Sequence, residues 1–201
     1  MGIVVRAVSK EFAKQNILAI ANLRIKVFKE FPYIYDGSLE YEVKYLERYF
    51  KAPNGHFILA IDENDSNIIV GVATCLPLAE EDDFVKKSFI ENGYKIDEIF
   101  YFGESVLLSD YRGKGLGQAF FDAREKIALS FSKITTTTFC AVVRPTDHPL
   151  KPQKYTPLDG FWQKRGYKKV EGLTSQFEWL DLGEKNETAK KMQYWMKIWN
   201  R

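Results

Sequence analysis

The sequence predicts an α/β fold, a sheet flanked by helices, and three observations carry that prediction. Runs rich in β-branched and aromatic residues alternate with segments whose apolar residues recur every three or four positions. Two of these runs, residues 56–61 and 68–76, flank the polar tip Asp62-Glu63-Asn64-Asp65-Ser66-Asn67, the pattern of a hairpin. A third run, residues 98–108, leads through a glycine-rich turn into a helical segment at 116–131.

Taken in order, residues 3–8 read as a strand. Ser9 caps a helix that runs to about residue 30, with Ile17, Ala21, Ile25 and Phe28 on one face. Phe31-Pro32 ends it and Asp36-Gly37-Ser38 turns the chain. Leu39, Val43, Leu46 and Phe50 then mark a second helix, stopped by Pro53-Asn54-Gly55. After the hairpin comes a charged insertion at 79–95, one short helix ended by Asn92-Gly93. The strand at 98–108, the loop and the helix at 116–131 follow. A strand at 137–143 leads to a proline-rich loop from Pro145 to Pro157, and two runs at 167–170 and 175–182 close the sheet. Residues 186–199 read as an additional C-terminal helix with Thr188, Met192, Trp195 and Trp199 on one face. Docking on the core is the ordinary fate of such a stripe, and an exposed one would serve a homodimer or a membrane surface.

At 201 residues the chain reads as a single domain, 1–182 forming the core and 183–201 an extension. The charge balance, 29 basic against 27 acidic residues, leaves +2 and implies no nucleic-acid partner. Local basic clusters at Lys164, Arg165, Lys168 and Lys169, and at Lys190 and Lys191, read as solvated faces or as neighbours of a phosphate. No membrane span is visible. Cys75 and Cys140 lack metal spacing, and buried inert thiols in a cytoplasmic protein are expected.

The chemistry lies in Ser109-Asp110-Tyr111-Arg112-Gly113-Lys114-Gly115-Leu116-Gly117-Gln118. Glycines admit a ligand close to the backbone, and the helix N-terminus that follows presents free N–H groups, so the turn is an anion site. Spacing tests which anion. A magnesium-nucleotide loop needs Ser or Thr after Gly-Lys, and here Gly115 follows. The dinucleotide fingerprint G-x-G-x-x-G is not met by G-x-G-x-G. The pattern Arg/Gln-x-x-Gly-x-Gly/Ala fits Arg112, Gly115 and Gly117.

That pattern resembles the acyl-CoA site of the GCN5-related N-acetyltransferase (GNAT) superfamily. A second block, Leu158-Asp159-Gly160-Phe161-Trp162-Gln163-Lys164-Arg165-Gly166-Tyr167, is similar to the superfamily's late "F-Y-x-x-x-G-F" segment. Residues 109–117 look especially like the matching stretch of spermidine/spermine acetyltransferases. The resemblance covers roughly residues 3–180 and implies the GNAT fold, a mixed, mostly antiparallel sheet of six to seven strands. It also implies an acetyltransferase that uses acetyl-CoA as co-substrate, with no metal, and moves the acyl group to a primary amine by direct attack in a ternary complex.

Under that resemblance each residue acquires a task. Arg112, Gly113, Lys114, Gly115, Leu116, Gly117 and Gln118 would cradle the pyrophosphate. Val106, Leu107 and Leu108, on a strand expected to splay from its neighbour, would pair with the pantetheine amides, and Val106 or Leu107 would offer the oxyanion an N–H. Glu104 is the base candidate, set against a structural salt bridge. Aligned without gaps, however, the polyamine enzymes' base falls on Gly103. One residue reverses the face of a strand side chain, and a bulge would restore it. The superfamily's acidic tyrosine would follow Phe161, where this chain has Trp162, whose indole is no acid. Tyr155, Tyr167 or water would stand in.

The acceptor, a small-molecule or peptide amine, would enter between the first two helices and the late strands. Phe28, Tyr33 and Tyr35 head an aromatic-dense stretch, with Glu178, Trp179 and Asp181 on the late side. These aromatics read equally well as packing residues. Arg144, Asp147 and His148 lie in a loop that would add polar contacts, His148 as a loop hydrogen-bonder. A competing function is a non-catalytic CoA-sensing or protein-interaction module on the same fold, which Trp162 and the C-terminal helix keep open.

Overall fold

A computed structural model describes residues 2–200, so Met1 and Arg201, the ends of the expected domain, lie outside the described residues. The strands are β1 (Ile3–Val8), β2 (His56–Asp62), β3 (Ile68–Pro77), β4 (Ile99–Leu107), β5 (Thr136–Val142), β6 (Lys168–Trp179) and β7 (Thr188–Ile198). They form one sheet in the order β1-β2-β3-β4-β5-β7-β6, with every neighbouring pair antiparallel except β4 and β5. This is the mixed, mostly antiparallel sheet that the resemblance implies.

Helices cover both faces. On one side lie α1 (Lys10–Gln15), α2 (Ile17–Phe28), α3 (Leu39–Lys51) and α4 (Asp83–Glu91), enclosing a core that includes Ile20, Leu46, Phe57, Phe89 and Tyr194. On the other lie α5 (Leu116–Leu129) and α6 (Asp159–Lys164), with Phe120 and Phe121 of α5 packed over Phe100, Phe102, Phe139 and Trp195. Ser9 caps α1 and Ser38 caps α3, each hydroxyl accepting from the N–H three residues on. The long helix expected from residue 9 to 30 is two. Asn16 interrupts it, its side-chain amide donating to the Phe12 carbonyl at 2.9 Å and competing with helical backbone pairing.

The clearest correction concerns the C-terminus, where the expected helix at 186–199 is strand β7. It is inserted between β5 and β6 and pairs with both, Cys140↔Tyr194 on one side and Lys169↔Trp195 on the other. Met192, Tyr194 and Met196 enter one core while Trp195 enters the other, so of the expected stripe Met192 and Trp195 are buried, Trp199 is half-buried and Thr188 is exposed. The runs at 167–170 and 175–182 are likewise one strand, β6, with a bulge between Lys169 and Thr174. Gly172 turns it at φ 80°, and the Gln193 amide donates to the freed carbonyls of Val170 and Leu173 at 2.7 and 3.1 Å.

One feature of this sheet positions the site. The parallel pair β4–β5 is in register only from Ile99↔Thr136 to Tyr101↔Thr138, after which β4 continues to Leu107 and β5 to Val142 unpaired with each other. The sheet opens there into a wedge.

Candidate active site

The wedge is the mouth of a cleft of about 1890 Å³. Glycine-loop residues line one end of it, and Phe28, Tyr33 and Tyr35 the other.

At the first end β4 passes through one turn of 3₁₀ helix, Ser109–Tyr111, into the loop and α5. Gly113 and Gly115 have φ of 77° and 81°, left-handed backbone that a side chain would strain. Nothing lies within 4 Å of where a Cβ would stand at either, so the space before them is open. Gly115 is the N-cap of α5 and no side chain caps it, which leaves the first N–H groups available. Arg112, Gly113, Gly115, Gly117 and Gln118 line the cleft with Val106 and Leu107; Lys114, Leu116 and Leu108 do not. The Lys114 ammonium lies over the Tyr111 ring, and Leu116 is buried. The Leu108 N–H donates to Val70 at 3.0 Å, which by alternation turns the Leu107 amide and carbonyl to the open edge. Arg112 lies across that edge, donating from Nε to the Leu107 carbonyl at 3.0 Å and reaching Glu30 at 2.7 Å.

Glu104 sits at the centre of the cleft because β4 carries a bulge. The register passes from Cys75↔Phe102 to Ala73↔Ser105, so one extra residue stands on β4. Its loose ends are tied, since the Glu104 N–H donates to Thr74 Oγ1 and its carbonyl accepts from Arg124, each at 3.3 Å. A Cβ on Gly103 would collide with the Tyr49 hydroxyl and Thr74 Oγ1. Gly103 and Glu104 thus face the same helices, and the off-by-one expected from the ungapped alignment disappears.

The Glu104 carboxylate is 7% exposed as a residue and forms the salt bridge weighed against its role as base. Oε1 lies 2.7 Å from Arg24 Nη1, and Tyr45 donates to Oε2 at 3.2 Å. Arg24 also pairs with Glu42 through Nε and stacks over the rings of Phe28 and Tyr45. Burial pulls the Arg24 guanidinium down, but the charges of Glu104 and Glu42 and the Glu42 hydrogen bond help to outweigh it and hold it above its ordinary value. Burial, with Glu104 adding to it, pushes the Tyr45 phenol up, so it stays a donor. Sequence reasoning missed Arg24 and Glu42. The available signal was an arginine on the Ile20-Arg24-Phe28 line of a buried helical face.

The tyrosines expected as acids part company. Tyr155 lines the cleft, its ring edge-on to Phe31 at 4.7 Å, and burial raises its phenol. Tyr167 does not reach it. It is packed among Phe102, Phe121 and Phe139 on the opposite face, its hydroxyl within 2.9 Å of Thr137 Oγ1 and donating to Glu125. Trp162 fills space against Phe139 and Trp195. Cys140 lines the cleft beside the Tyr101 hydroxyl, and burial pushes its thiol up to about 12.

Tyr33 packs on Phe28 at 4.7 Å and lies 5.9 Å from Trp179, and Tyr35 faces Tyr41 at 6.2 Å. Arg144 leaves β5 to donate to the carbonyls of Pro32 and Tyr33 while forking onto Asp181 at 2.6 and 2.8 Å. His148 is the loop hydrogen-bonder expected, its Nδ1 accepting from the Leu150 N–H. Of the basic clusters, Arg165 pairs with Asp122 and Glu125, and Lys190 is buried against Asp181. Among the described residues no group of three or more His, Cys, Asp or Glu is placed to hold a metal ion, and no helix is long and apolar enough to cross a membrane.

A family model described as the acetyltransferase (GNAT) family matches residues 23–150. No curated protein matches the sequence. Solved structures share the fold at low identity. NAA60 of Arabidopsis thaliana, in complex with a bisubstrate analogue, is 12% identical, with 98% of each chain covered and a TM-score of 0.61. The ribosomal-protein-alanine N-acetyltransferase of Brucella melitensis is 14% identical over 97% of this chain and 99% of its own, at 0.60. The NatC complex bound to Gag peptide and CoA is 14% identical over the whole of both chains, at 0.59.

Proposed function

The chain belongs to the GNAT family of acetyltransferases, and on that premise we propose that it moves an acetyl group from acetyl-CoA to a primary amine by direct attack in a ternary complex. The observation that carries this is the cleft. At about 1890 Å³ it is roughly twice the upper end of single-ligand pockets, and it joins an anion-binding loop to an aromatic chamber across the Glu104 carboxylate.

The residues fit the co-substrate. Gly113 and Gly115 leave open space before uncapped N–H groups, where a pyrophosphate would be held, and the free edge of β4 at Leu107 offers backbone to pantetheine amides. Acetyl-CoA supplies an activated thioester carbonyl. Arg112 would exchange its present partners for the phosphates, and the Leu107 N–H would stabilise the oxyanion. Glu104, oriented by Arg24 and Tyr45, takes the proton from the attacking amine. As the C–N bond forms and the C–S bond breaks, the sulfur takes a proton from Tyr155 or from water. Cys140 stays a thiol, which argues against a covalent detour through it. The two free cysteines, both buried, suit a reducing, cytoplasmic setting.

Two variants test this. Gly117→Glu places a carboxylate at the start of α5, where its Cβ would meet the Phe161 side chain at 3.8 Å, an ordinary contact. It should leave the apo fold intact and abolish stabilisation by CoA, a gain of about 2.7 kcal/mol in the native protein at 100-fold excess over Kd. CoA binding that survives the change would overturn the donor site. Glu104→Gln should lower kcat about 100-fold or more at pH 7 and recover part of it in alkali, where the amine is already free. Full activity at neutral pH would remove Glu104 as the base.

A further inference from the structure

Resting on that reading, we propose that the acceptor is a compact arylalkyl primary amine, taken into a chamber whose far end is closed by a strap and which therefore excludes polypeptide acceptors. The strap is formed by the segment after α2 and the segment after β6. The Asp36 N–H donates to the Leu180 carbonyl at 2.8 Å and the Leu182 N–H to the Ile34 carbonyl at 2.7 Å, with Tyr35 and Asp181 bridged between them. Arg144 locks both sides from a third element, holding the carbonyls of Pro32 and Tyr33 and the carboxylate of Asp181. The indole N–H of Trp179 donates to that same Tyr33 carbonyl at 3.2 Å.

The position of this strap matters because α2 packs on the β3–β4 half of the sheet, whereas β6 and Asp181 belong to the half beyond the wedge. Joining them spans the opening between β4 and β5. A polypeptide acceptor leaving the site here would need backbone partners along its path. The N–H groups of Asp36 and Leu182 are already paired with the carbonyls of Leu180 and Ile34, so it would have to break the strap to use them. A compact amine needs no such exit.

The chamber behind the strap selects chemistry as well as size. Its walls include the half-buried rings of Phe28, Tyr33 and Tyr45 and the edge of Trp179, which suit a flat apolar body. Its charged core sets two carboxylates, Glu42 and Glu104, against Arg24, while Arg48, on Tyr45, is matched by Glu81 and Asp82, an excess of negative charge that favours an arriving ammonium. The aromatic faces beside it add attraction for the same group.

The test uses the full chain with acetyl-CoA and follows thiol release with 2-phenylethylamine, n-butylamine and a decapeptide with a free N-terminus. The expected order of kcat/KM places phenylethylamine at least tenfold above both others. A peptide turned over as well as phenylethylamine overturns the substrate class and leaves acetyl transfer standing. Butylamine equal to phenylethylamine overturns the aromatic selection. No thiol release with any acceptor, from protein that CoA still stabilises, overturns both this inference and the reading beneath it. Arg144→Gln should raise KM for phenylethylamine at least fivefold with kcat within twofold and CoA stabilisation unchanged. Arg144→Lys, which keeps the charge and loses the fork, is read in the same way if the first variant does not fold. An unchanged KM in the folded variant removes the strap from acceptor selection.

Discussion

Gly103 and Glu104 show how much of the site turns on a single extra residue in a strand. Without the bulge, Glu104 would point to the α5 face and Gly103 would leave the cleft without a carboxylate. Thr74 and Arg124 hold the bulge through hydrogen bonds, and the Tyr49 hydroxyl packs over Gly103. Gly103→Ala should therefore strain that packing. Overpacking of this kind costs about 1–3 kcal/mol, and the displaced Glu104 should lower kcat while CoA affinity stays constant. Urea unfolding with steady-state kinetics checks both, and unchanged stability would show that Tyr49 yields at no cost. The sequence made Glu104 a candidate because an acid inside an apolar strand is conspicuous. It raised the bulge only as what would reconcile Glu104 with the ungapped alignment, because a bulge is a property of pairing with β3 rather than of β4 itself. The same limit separated Tyr155 from Tyr167, since distance along the chain does not say which face of the sheet a phenol meets.

At the scale of elements, legibility followed how one-sided each element is. The hairpin β2–β3, the amphipathic α3 and the strand–loop–helix of β4 and α5 were all readable, because local turn chemistry and one buried face specify them. Strand β7 was misread as a helix because it is central. Met192, Tyr194 and Met196 repeat every two residues, yet Gln193 and Trp195 between them are buried too, which erases the alternation. What remains is Met192, Trp195 and Trp199, a spacing that a helix also satisfies. The error had a functional consequence, since a helix at 186–199 was the surface through which an interaction module, kept open by Trp162, would have held a partner. With the segment in the sheet, its aromatics are the floor between two cores. The bulge in β6 shows the same dependence on partners, because Gln193 on β7 satisfies the carbonyls it exposes.

The whole molecule is two half-sheets joined at one end by a short parallel register and at the other by the strap. Arg144 and Asp181 therefore serve stability as well as acceptor selection, and the pH dependence of that contribution can be worked out. Burial acts to raise the Asp181 carboxyl, but the hydrogen bonds and charges of Arg144 and Lys190 outweigh it and hold it below the ordinary 3.8. A carboxyl depressed in the folded state adds stability that is fully present above its unfolded value. That stability is lost as the pH falls through the folded value. Asp181 and Lys190 are buried and Arg144 is nearly so, and Asp181→Asn leaves Arg144 without a counter-charge and Lys190 with only Glu184 at 4.0 Å, at a cost of about 3 kcal/mol. The gap between native protein and variant should therefore be constant from pH 7 down to about pH 4 and shrink below that, once the native carboxyl takes up a proton. Denaturant unfolding of both proteins at pH 7 and pH 3 measures it. A gap of the same size at both pH values would mean that the strap is held by its backbone bonds and packing, with no ionic contribution from Asp181.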